Sequence, residues 1–168
     1  MRIAFITRHY PPTVCGIGDH TYYLAQEMMR KGVDVHIVCG SDEKNIFCQE
    51  TIHPVILDWG IMSMDIVLLV LKDIRPDWVI VQYEAYSYSA KGFPYPFVWL
   101  YRSLNKVKIP ILTVFHEIMI RKEGNLKKTI LSNLQTNLAH RLARLSTHVV
   151  TSIDFYAFLS NHNLVKNG

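Results

Sequence analysis

The stretch IAFITRHYPPTVCGIGD, residues 3–19, decides the fold of this chain. Its first four residues are apolar, and Pro11 and Pro12 prevent the run from continuing, so residues 3–6 are predicted to form a buried strand. Residues 19–31 carry apolar side chains at helical spacing and are followed by Gly32, which predicts a helix with one inward face and a glycine stop. The chain therefore begins with a strand, a loop and a helix.

The loop between these two elements ends in Gly16-Ile17-Gly18. Because glycine has no Cβ, the backbone N–H groups at such positions can approach a ligand closely. Free N–H groups and the helix dipole both attract an anion to the start of a helix. The glycines could simply make a tight turn, but their place at a helix start favours a phosphate site.

Strand and helix patterns alternate along the rest of the chain. They predict strands at residues 33–39, 51–57, 77–83, 109–115 and 148–152, and helices at 61–74, 97–106, 126–145 and from 153 to 159. Pro54 limits the 51–57 strand to a sheet edge or a strand start. Residues 41–49, 84–96 and 121–125 are predicted to be irregular. The pattern is typical of a doubly wound, mostly parallel Rossmann-like α/β sheet, formed by residues 1–168 as one domain.

Two of these helices have predicted inward faces. The apolar residues of the first of them are Ile61, Met64, Leu68 and Leu71, and those of the second are Ile130, Leu134, Leu138, Leu142 and Leu145.

The composition limits the class of protein. With 168 residues, 49% of them hydrophobic and 19% charged, the chain is expected to be an ordered globular domain. The three cysteines include no CxxC pair, which argues against a disulfide framework or a zinc site and favours a reducing, cytoplasmic compartment. No charged leader precedes the first apolar run, and no apolar run is long enough to span a bilayer. The histidines are scattered, so no metal site is predicted.

Charge is divided unevenly along the sequence. Residues 1–100 hold eight Lys and Arg against eleven Asp and Glu, whereas residues 101–168 hold ten against three. Lys127, Lys128, Arg141 and Arg144 lie in the 126–145 helix. This basic helix is interpreted as a solvated face, and peripheral contact with the anionic inner face of a membrane is the testable alternative.

Three unusual loops are expected at the carboxyl ends of strands, covering residues 7–19, 82–96 and 116–125. Ligands of doubly wound sheets bind at that edge, where the strand order reverses. A dinucleotide fingerprint is disfavoured, because Thr21 stands where the third glycine belongs and the glycines come about ten residues after the strand. A P-loop is excluded, since no Gly-Lys-Ser/Thr follows the glycines.

Short motifs along nearly the whole chain carry a family resemblance. They are YPP at 10–12, GIGDH at 16–20, MRKG at 29–32, VHIV at 35–38, QYE at 82–84, GFP at 92–94 and TVFHE at 113–117. Together they resemble the N-terminal, acceptor-side domain of a family 4 glycosyltransferase with the GT-B fold.

The resemblance implies a reaction and a missing partner domain. Family members have two Rossmann-like domains with the active site between them, and the donor domain carries two glutamates separated by seven residues. Here Glu43 and Glu50 are separated by six and lie in a polar loop, so the C-terminal donor-binding domain is expected to be absent from this chain. The implied function is the acceptor-side half of a retaining, metal-independent hexosyltransferase, inactive or nearly so alone.

The resemblance also implies partners and residue roles. A UDP- or GDP-sugar would donate to a glycan, lipid or small-molecule acceptor, with no cofactor and no nucleic acid. Gly16, Ile17 and Gly18 would face the donor diphosphate, and His116 and Asp19 would be catalytic. The acceptor pocket would contain Tyr10, His20, Tyr83, Glu84 and Glu117.

Simpler interpretations stay open for several of these residues. Asp19 could serve only as a helix cap or as an acidic residue in the first turn. His116 could be a strand-end residue whose ring nitrogens hydrogen-bond to the backbone. Glu117 could pair with Arg121 or Lys122. The tyrosines of residues 83–95 could line a sugar-binding surface or pack a long loop. At the level of function, a sugar-nucleotide epimerase of the same fold and a non-catalytic nucleotide- or partner-binding module are the alternatives.

Overall fold

The strands of the protein form one parallel sheet. The computed structural model describes residues 1–41, 51–117 and 126–151. Its strands are β1 Arg2–Ile6, β2 Asp34–Gly40, β3 Ile52–Ile56, β4 Trp78–Glu84, β5 Ile111–Glu117 and β6 His148–Thr151. They are ordered β3-β2-β1-β4-β5-β6, and every neighbouring pair is parallel. The predicted doubly wound Rossmann-like sheet is confirmed, and β3 lies at its edge, one of the two positions that Pro54 allowed.

Five helices are present in the described residues. They are α1 Gly16–Arg30, α2 Ile61–Ile74, α3 Ala85–Tyr88, α4 Pro96–Lys106 and α5 Leu126–Leu145. The bounds of α2 and α5 are those predicted from the sequence. No helix among the described residues combines the length and the apolar character that crossing a membrane requires.

The helices cover the two faces of the sheet unequally. The chain passes from β1 to β2 in one direction and from β3 through β4 and β5 to β6 in the other. Because such crossovers are right-handed, α1 lies on one face and α2, α4 and α5 on the opposite face. Phe5 and Ile37 belong to the core beneath α1, whereas Ile6, Tyr83 and Phe115 belong to the larger core beneath the other three helices.

The centre of the sheet contains the reversal of strand order. β1 and β4 are neighbours, and the chain leaves β1 towards β2 but leaves β4 towards β5. The crevice outside the carboxyl ends of such a pair is the usual ligand site in this architecture. Here it is bordered by the start of α1 and by the ends of β4 and β5.

Several boundaries differ from the sequence-based prediction, and three of the differences lie at the carboxyl edge of the sheet. α1 begins at Gly16 instead of residue 19, so the two glycines lie in its first turn. The stretch 84–96, predicted as a loop, contains the single turn α3 and ends where α4 begins. His116 and Glu117, predicted to follow β5, are its last two residues.

Some inward positions of α2 and α5 were also predicted wrongly. Ile61 is 55% exposed, Ile130 52% and Leu134 43%, whereas Ser132 and Gln135 are buried in their place. A spacing of four residues overshoots a 3.6-residue turn by about 40° at each step, so residues 130, 134, 138 and 142 spiral around the helix. Only the later members of that series, Leu138 and Leu142, reach the core.

Several predicted segments lie outside the described residues. These are most of the irregular stretch at 41–49, the polar loop at 121–125, Ser152 at the end of the sixth strand, and the helix from 153 to 159.

Candidate functional site

The first turn of α1 presents unpaired backbone donors at the carboxyl edge of the sheet. Cys15 is the N-cap in an extended conformation, and no side chain of the described residues caps the helix. The first residues of a helix have no intrahelical acceptor for their N–H groups. Gly16, Ile17 and Gly18 therefore offer three N–H donors at the positive end of the helix dipole. Asp19, exposed in the same turn, places a carboxylate beside them.

The two glycines of this turn have different surroundings. A Cβ added to Gly18 would lie 2.9 Å from the backbone oxygen of His9, whereas one added to Gly16 would meet nothing within 4 Å. Gly40 on β2 repeats the first situation, since its Cβ would lie 2.7 Å from the backbone oxygen of Arg8. The loop after β1 is thus held between Gly18 and Gly40. Sequence reasoning treated Gly16 and Gly18 alike, but Gly18 is needed for packing and Gly16 opens towards free space.

Two histidines meet beside this turn. The rings of His20 on α1 and His116 on β5 are 5.3 Å apart in an edge-to-face arrangement. The Nε2 atom of His116 lies 2.6 Å from the Oε1 atom of Gln82 on β4. Gln82 itself is fully buried, and its Nε2 atom has no hydrogen-bond partner among the described residues. The site therefore joins side chains from α1, β4 and β5.

The surroundings of His116 favour its neutral form. Burial lowers the pKa of His116, the nearby His20 lowers that pKa further, and the Glu84 carboxylate acts in the opposite direction. A neutral imidazole can accept a hydrogen bond at one nitrogen while it donates from the other. His116 is thus suited to contact a hydroxyl group at neutral pH.

Two carboxylates lie at the ends of the adjacent strands. Glu84 and Glu117 are paired in register across β4 and β5, next to an irregularity in the ladder after Tyr83. Glu84 is half-buried and accepts a hydrogen bond from the Ser87 hydroxyl, whereas Glu117 is exposed. The structure therefore brings His20, Glu84, His116 and Glu117 to one edge of the sheet.

The two tyrosines predicted for the acceptor pocket are buried instead. Tyr83 has no exposed surface, and Tyr10 is 3% exposed. Burial raises the pKa of the Tyr10 hydroxyl to about 12 and raises that of Tyr83 as well. Both rings fill the core because each belongs to a buried cluster, so neither lines a surface open to an acceptor. Within residues 83–95, Tyr86 and Tyr95 are the exposed tyrosines.

Gln82 is the residue of the site that sequence reasoning missed. It was assigned to an apolar strand, and no role was given to its side chain. The available signal was its position, because it is the polar residue in the run Trp78–Tyr83 that otherwise consists of apolar side chains. A buried polar side chain requires a partner, and here that partner is His116.

Other features of the molecule lie apart from this edge. A cavity of about 730 Å³ lies between the C-terminal ends of α2 and α4, at the amino ends of β4 and β5, and four leucines are among its lining residues. Arg141 of the basic helix α5 lies 5.7 Å from the centre of the Tyr95 ring. In residues 1–41, 51–117 and 126–151, no three His, Cys, Asp or Glu side chains are grouped as metal ligands.

Known structures resemble the chain over most of its length. One of them is an alpha-glucosyltransferase in complex with UDP and a 13-mer DNA containing an HMU base. The match covers 90% of this chain and 37% of the glucosyltransferase chain, with a TM-score of 0.55 and 18% sequence identity. A second alpha-glucosyltransferase structure, with UDP and a 13-mer DNA containing a central A:G mismatch, matches the same shares with a TM-score of 0.56 and 18% identity.

A third structure extends the comparison to another enzyme. The dTDP-glucose 4,6-dehydratase of Bacillus anthracis, in complex with NAD, matches 90% of this chain and 53% of its own, with a TM-score of 0.51 and 13% identity. No protein-family model and no curated protein sequence matches the chain. The chain has a Rossmann-like α/β fold that matches one part of an alpha-glucosyltransferase.

Proposed function

We propose that this chain is the acceptor-side half of a retaining, metal-independent glycosyltransferase of family 4. Such an enzyme moves a sugar from a UDP- or GDP-sugar to a glycan, lipid or small-molecule acceptor in the cytoplasm. The observation that carries the proposal is the open first turn of α1 beside His116, at the reversal of strand order. The structural likeness to a glucosyltransferase in complex with UDP supports it.

The chemistry of this proposal follows from charge. A departing nucleoside diphosphate develops negative charge, which the N–H groups of Gly16, Ile17 and Gly18 stabilise without a metal ion. His116 contacts the donor sugar as it becomes oxocarbenium-like. The donor-binding domain would close over this edge and deliver the nucleotide.

The acceptor would enter from the exposed side of the same edge. Asp19, Glu84 and Glu117 are the carboxylates there, and each is a candidate to contact the acceptor hydroxyl. His20 borders the same space. Because the two glucosyltransferase structures contain DNA, a duplex with an HMU base belongs in the acceptor panel beside saccharides and lipids.

The proposal predicts that substitutions at the two glycines have opposite consequences. Gly16→Val places a side chain in open space, so we expect nearly wild-type stability but at least a tenfold loss of UDP or GDP affinity, about 1.4 kcal/mol. Gly18→Ala forces a Cβ against the His9 backbone, which we expect to cost about 1–3 kcal/mol of folding free energy. Calorimetric titration and urea unfolding of the full-length protein measure these two quantities.

The outcomes separate the competing functions. If Gly16→Val bound the nucleotide as tightly as the wild type, the proposed binding of the diphosphate at the start of α1 would be wrong. Binding of NAD in preference to UDP and GDP would favour a sugar-nucleotide-modifying enzyme, and donor turnover without any acceptor would favour the epimerase. Gly16→Ala is the matched control for a small side chain at the same place.

A further inference from the structure

Gln82 is an unusual residue for a central strand. It lies in β4 between Val81 and Tyr83, two residues of the core, and has no exposed surface. Its backbone oxygen accepts a hydrogen bond from the Tyr88 hydroxyl. Its side-chain oxygen meets the Nε2 atom of His116, while its side-chain nitrogen has no partner in the described part of the chain.

This arrangement stabilises the fold poorly. A buried donor without a partner loses its hydrogen bonds to water and gains none in return, so an apolar side chain of similar size would suit the core better. The side chain of Gln82 nevertheless makes one short contact, at 2.6 Å, and that contact is with His116. The carboxamide is therefore best explained by what it does to the imidazole.

We propose that Gln82 is a positioning residue that holds His116 in the Nε2–H tautomer and leaves Nδ1 as a hydrogen-bond acceptor for a substrate hydroxyl. A carboxamide oxygen can only accept, so the hydrogen between the two side chains belongs to Nε2. In the neutral ring the other nitrogen is then bare. This role rests on the proposed glycosyl transfer, because it assigns His116 a substrate hydroxyl to contact.

The groups around His116 are consistent with this role. His20 from α1 and Glu84 from β4 face the ring, and Glu117 is its neighbour on β5. Burial and His20 lower the pKa of His116, which keeps the ring neutral at pH values where Nδ1 must accept. Within the described residues, Nδ1 of His116 makes no hydrogen bond with another protein group.

The tautomer can be measured without any activity. Nitrogen-15 NMR of histidine-labelled protein distinguishes a protonated from a bare ring nitrogen, and the His116→Ala spectrum identifies the resonances of His116. We expect a protonated Nε2 and a bare Nδ1 at neutral pH. A protonated Nδ1 in the wild type would overturn the proposal.

Substitution of Gln82 tests its part directly. Gln82→Met removes the acceptor at nearly constant volume. We expect a mixture of both tautomers, about a tenfold lower kcat because the ring is no longer fixed in one tautomer and orientation, and an unchanged donor KM. Gln82→Glu places a carboxylate there, so the pKa of His116 rises and the acidic limb of the pH–rate profile moves to higher pH. Preservation of the wild-type tautomer in Gln82→Met would overturn the proposal.

A matched control separates positioning from stability. Gln135→Met removes another buried glutamine, which donates to the Gly92 backbone from α5 on the opposite face of the sheet. It should lower stability and leave the His116 resonances unchanged. If the tautomer behaves as expected but the full-length wild-type protein transfers no sugar, the proposed function fails while the role of Gln82 on His116 stands.

Discussion

Two pairs of histidines occupy two different regions of this molecule. His20 and His116 meet at the carboxyl edge of the sheet, whereas His36 on β2 and His53 on the edge strand β3 stack with their ring centres 5.4 Å apart. Nδ1 of His36 lies 3.1 Å from Nε2 of His53, and Asp34 contacts the other nitrogen of His36. In the first pair, by contrast, a neutral amide holds His116, and the second ring nitrogen makes no hydrogen bond with the part of the chain that the structure describes.

The difference shows that the groups around a histidine pair distinguish a structural role from a chemical one. Asp34 is bonded to Arg2, and Arg2 also contacts the Ile74 backbone, so the β2–β3 pair belongs to a network that joins secondary-structure elements. The carboxyl-edge pair instead lies next to the three N–H groups at the start of α1, which have no intrahelical acceptor. Ring spacing is nearly the same in both pairs, so spacing alone does not identify a site.

The largest expected difference between the two histidine pairs is in the rate of sugar transfer. We expect His116→Asn to lower the rate of sugar transfer by about 100-fold or more, the usual contribution of a positioned catalytic histidine. Donor affinity should change less, because the amides of α1 stay in place. His36→Asn should retain the wild-type rate, and transfer assays of the full-length protein compare the two. Equal rates for His116→Asn and wild type would remove His116 from the site.

The pH dependence of stability tests what the two pairs share. Burial, followed by the charge of His36, lowers the pKa of His53, and burial, followed by His20, lowers that of His116. The folded state therefore binds fewer protons than the unfolded state, so stability is fully present above the ordinary value of 6.5 and is lost as the pH falls below it.

The corresponding variants should become less sensitive to acid. We expect His53→Gln and His116→Gln each to reduce the loss of unfolding free energy between about pH 7.5 and about pH 5. Urea unfolding at both pH values measures it, with the exposed Gln26→Ala as a control that titrates nothing. A slope as steep as that of the wild type in either variant would contradict the corresponding pKa shift.

The smallest expected effect concerns the network of the β2–β3 pair. The Arg2 hydrogen bond holds the pKa of Asp34 below its usual range, but the two side chains are 43% and 44% exposed. Such a solvated ion pair contributes about 0.2–1 kcal/mol. Asp34→Asn should lower the free energy of unfolding by that amount at low salt and by less at high salt. A loss independent of salt would show that the bond acts through geometry rather than charge.

Much of the fold could be predicted from local pattern. α2 and α5 were placed at their observed bounds, with Pro76 marking the end of α2, and β3 lies at the sheet edge, one of the two positions that Pro54 allowed. The start of α1 was placed three residues late, because Gly16 and Gly18 are poor helix formers and a helix that starts on them has no propensity signal.

The site was harder to predict because its contacts join distant parts of the chain. Gly18 and Gly16 look identical in sequence, and only the approach of the His9 backbone separates them. The burial of Tyr83 and the hydrogen bond between Gln82 and His116 depend on which face of β4 packs against which helix. The alternation of side chains along β4 predicts that neighbouring residues point to opposite faces of the sheet, but it does not predict which helix or strand each face contacts. The burial of Tyr83 and the contact of Gln82 with His116 could therefore be found only in the three-dimensional structure.

The clamp of Gly18 and Gly40 on the loop after β1 also has a thermodynamic consequence for ligand binding. Fixing a backbone residue costs about 1–2 kcal/mol of conformational entropy, and here that ordering takes place while the protein folds. An incoming anion would meet a loop that is already rigid, so little of its interaction energy would be lost to immobilising the chain. Affinity at this edge would then depend on how well a ligand fits three preset amides, and a poor fit could not be rescued by adjustment of the loop.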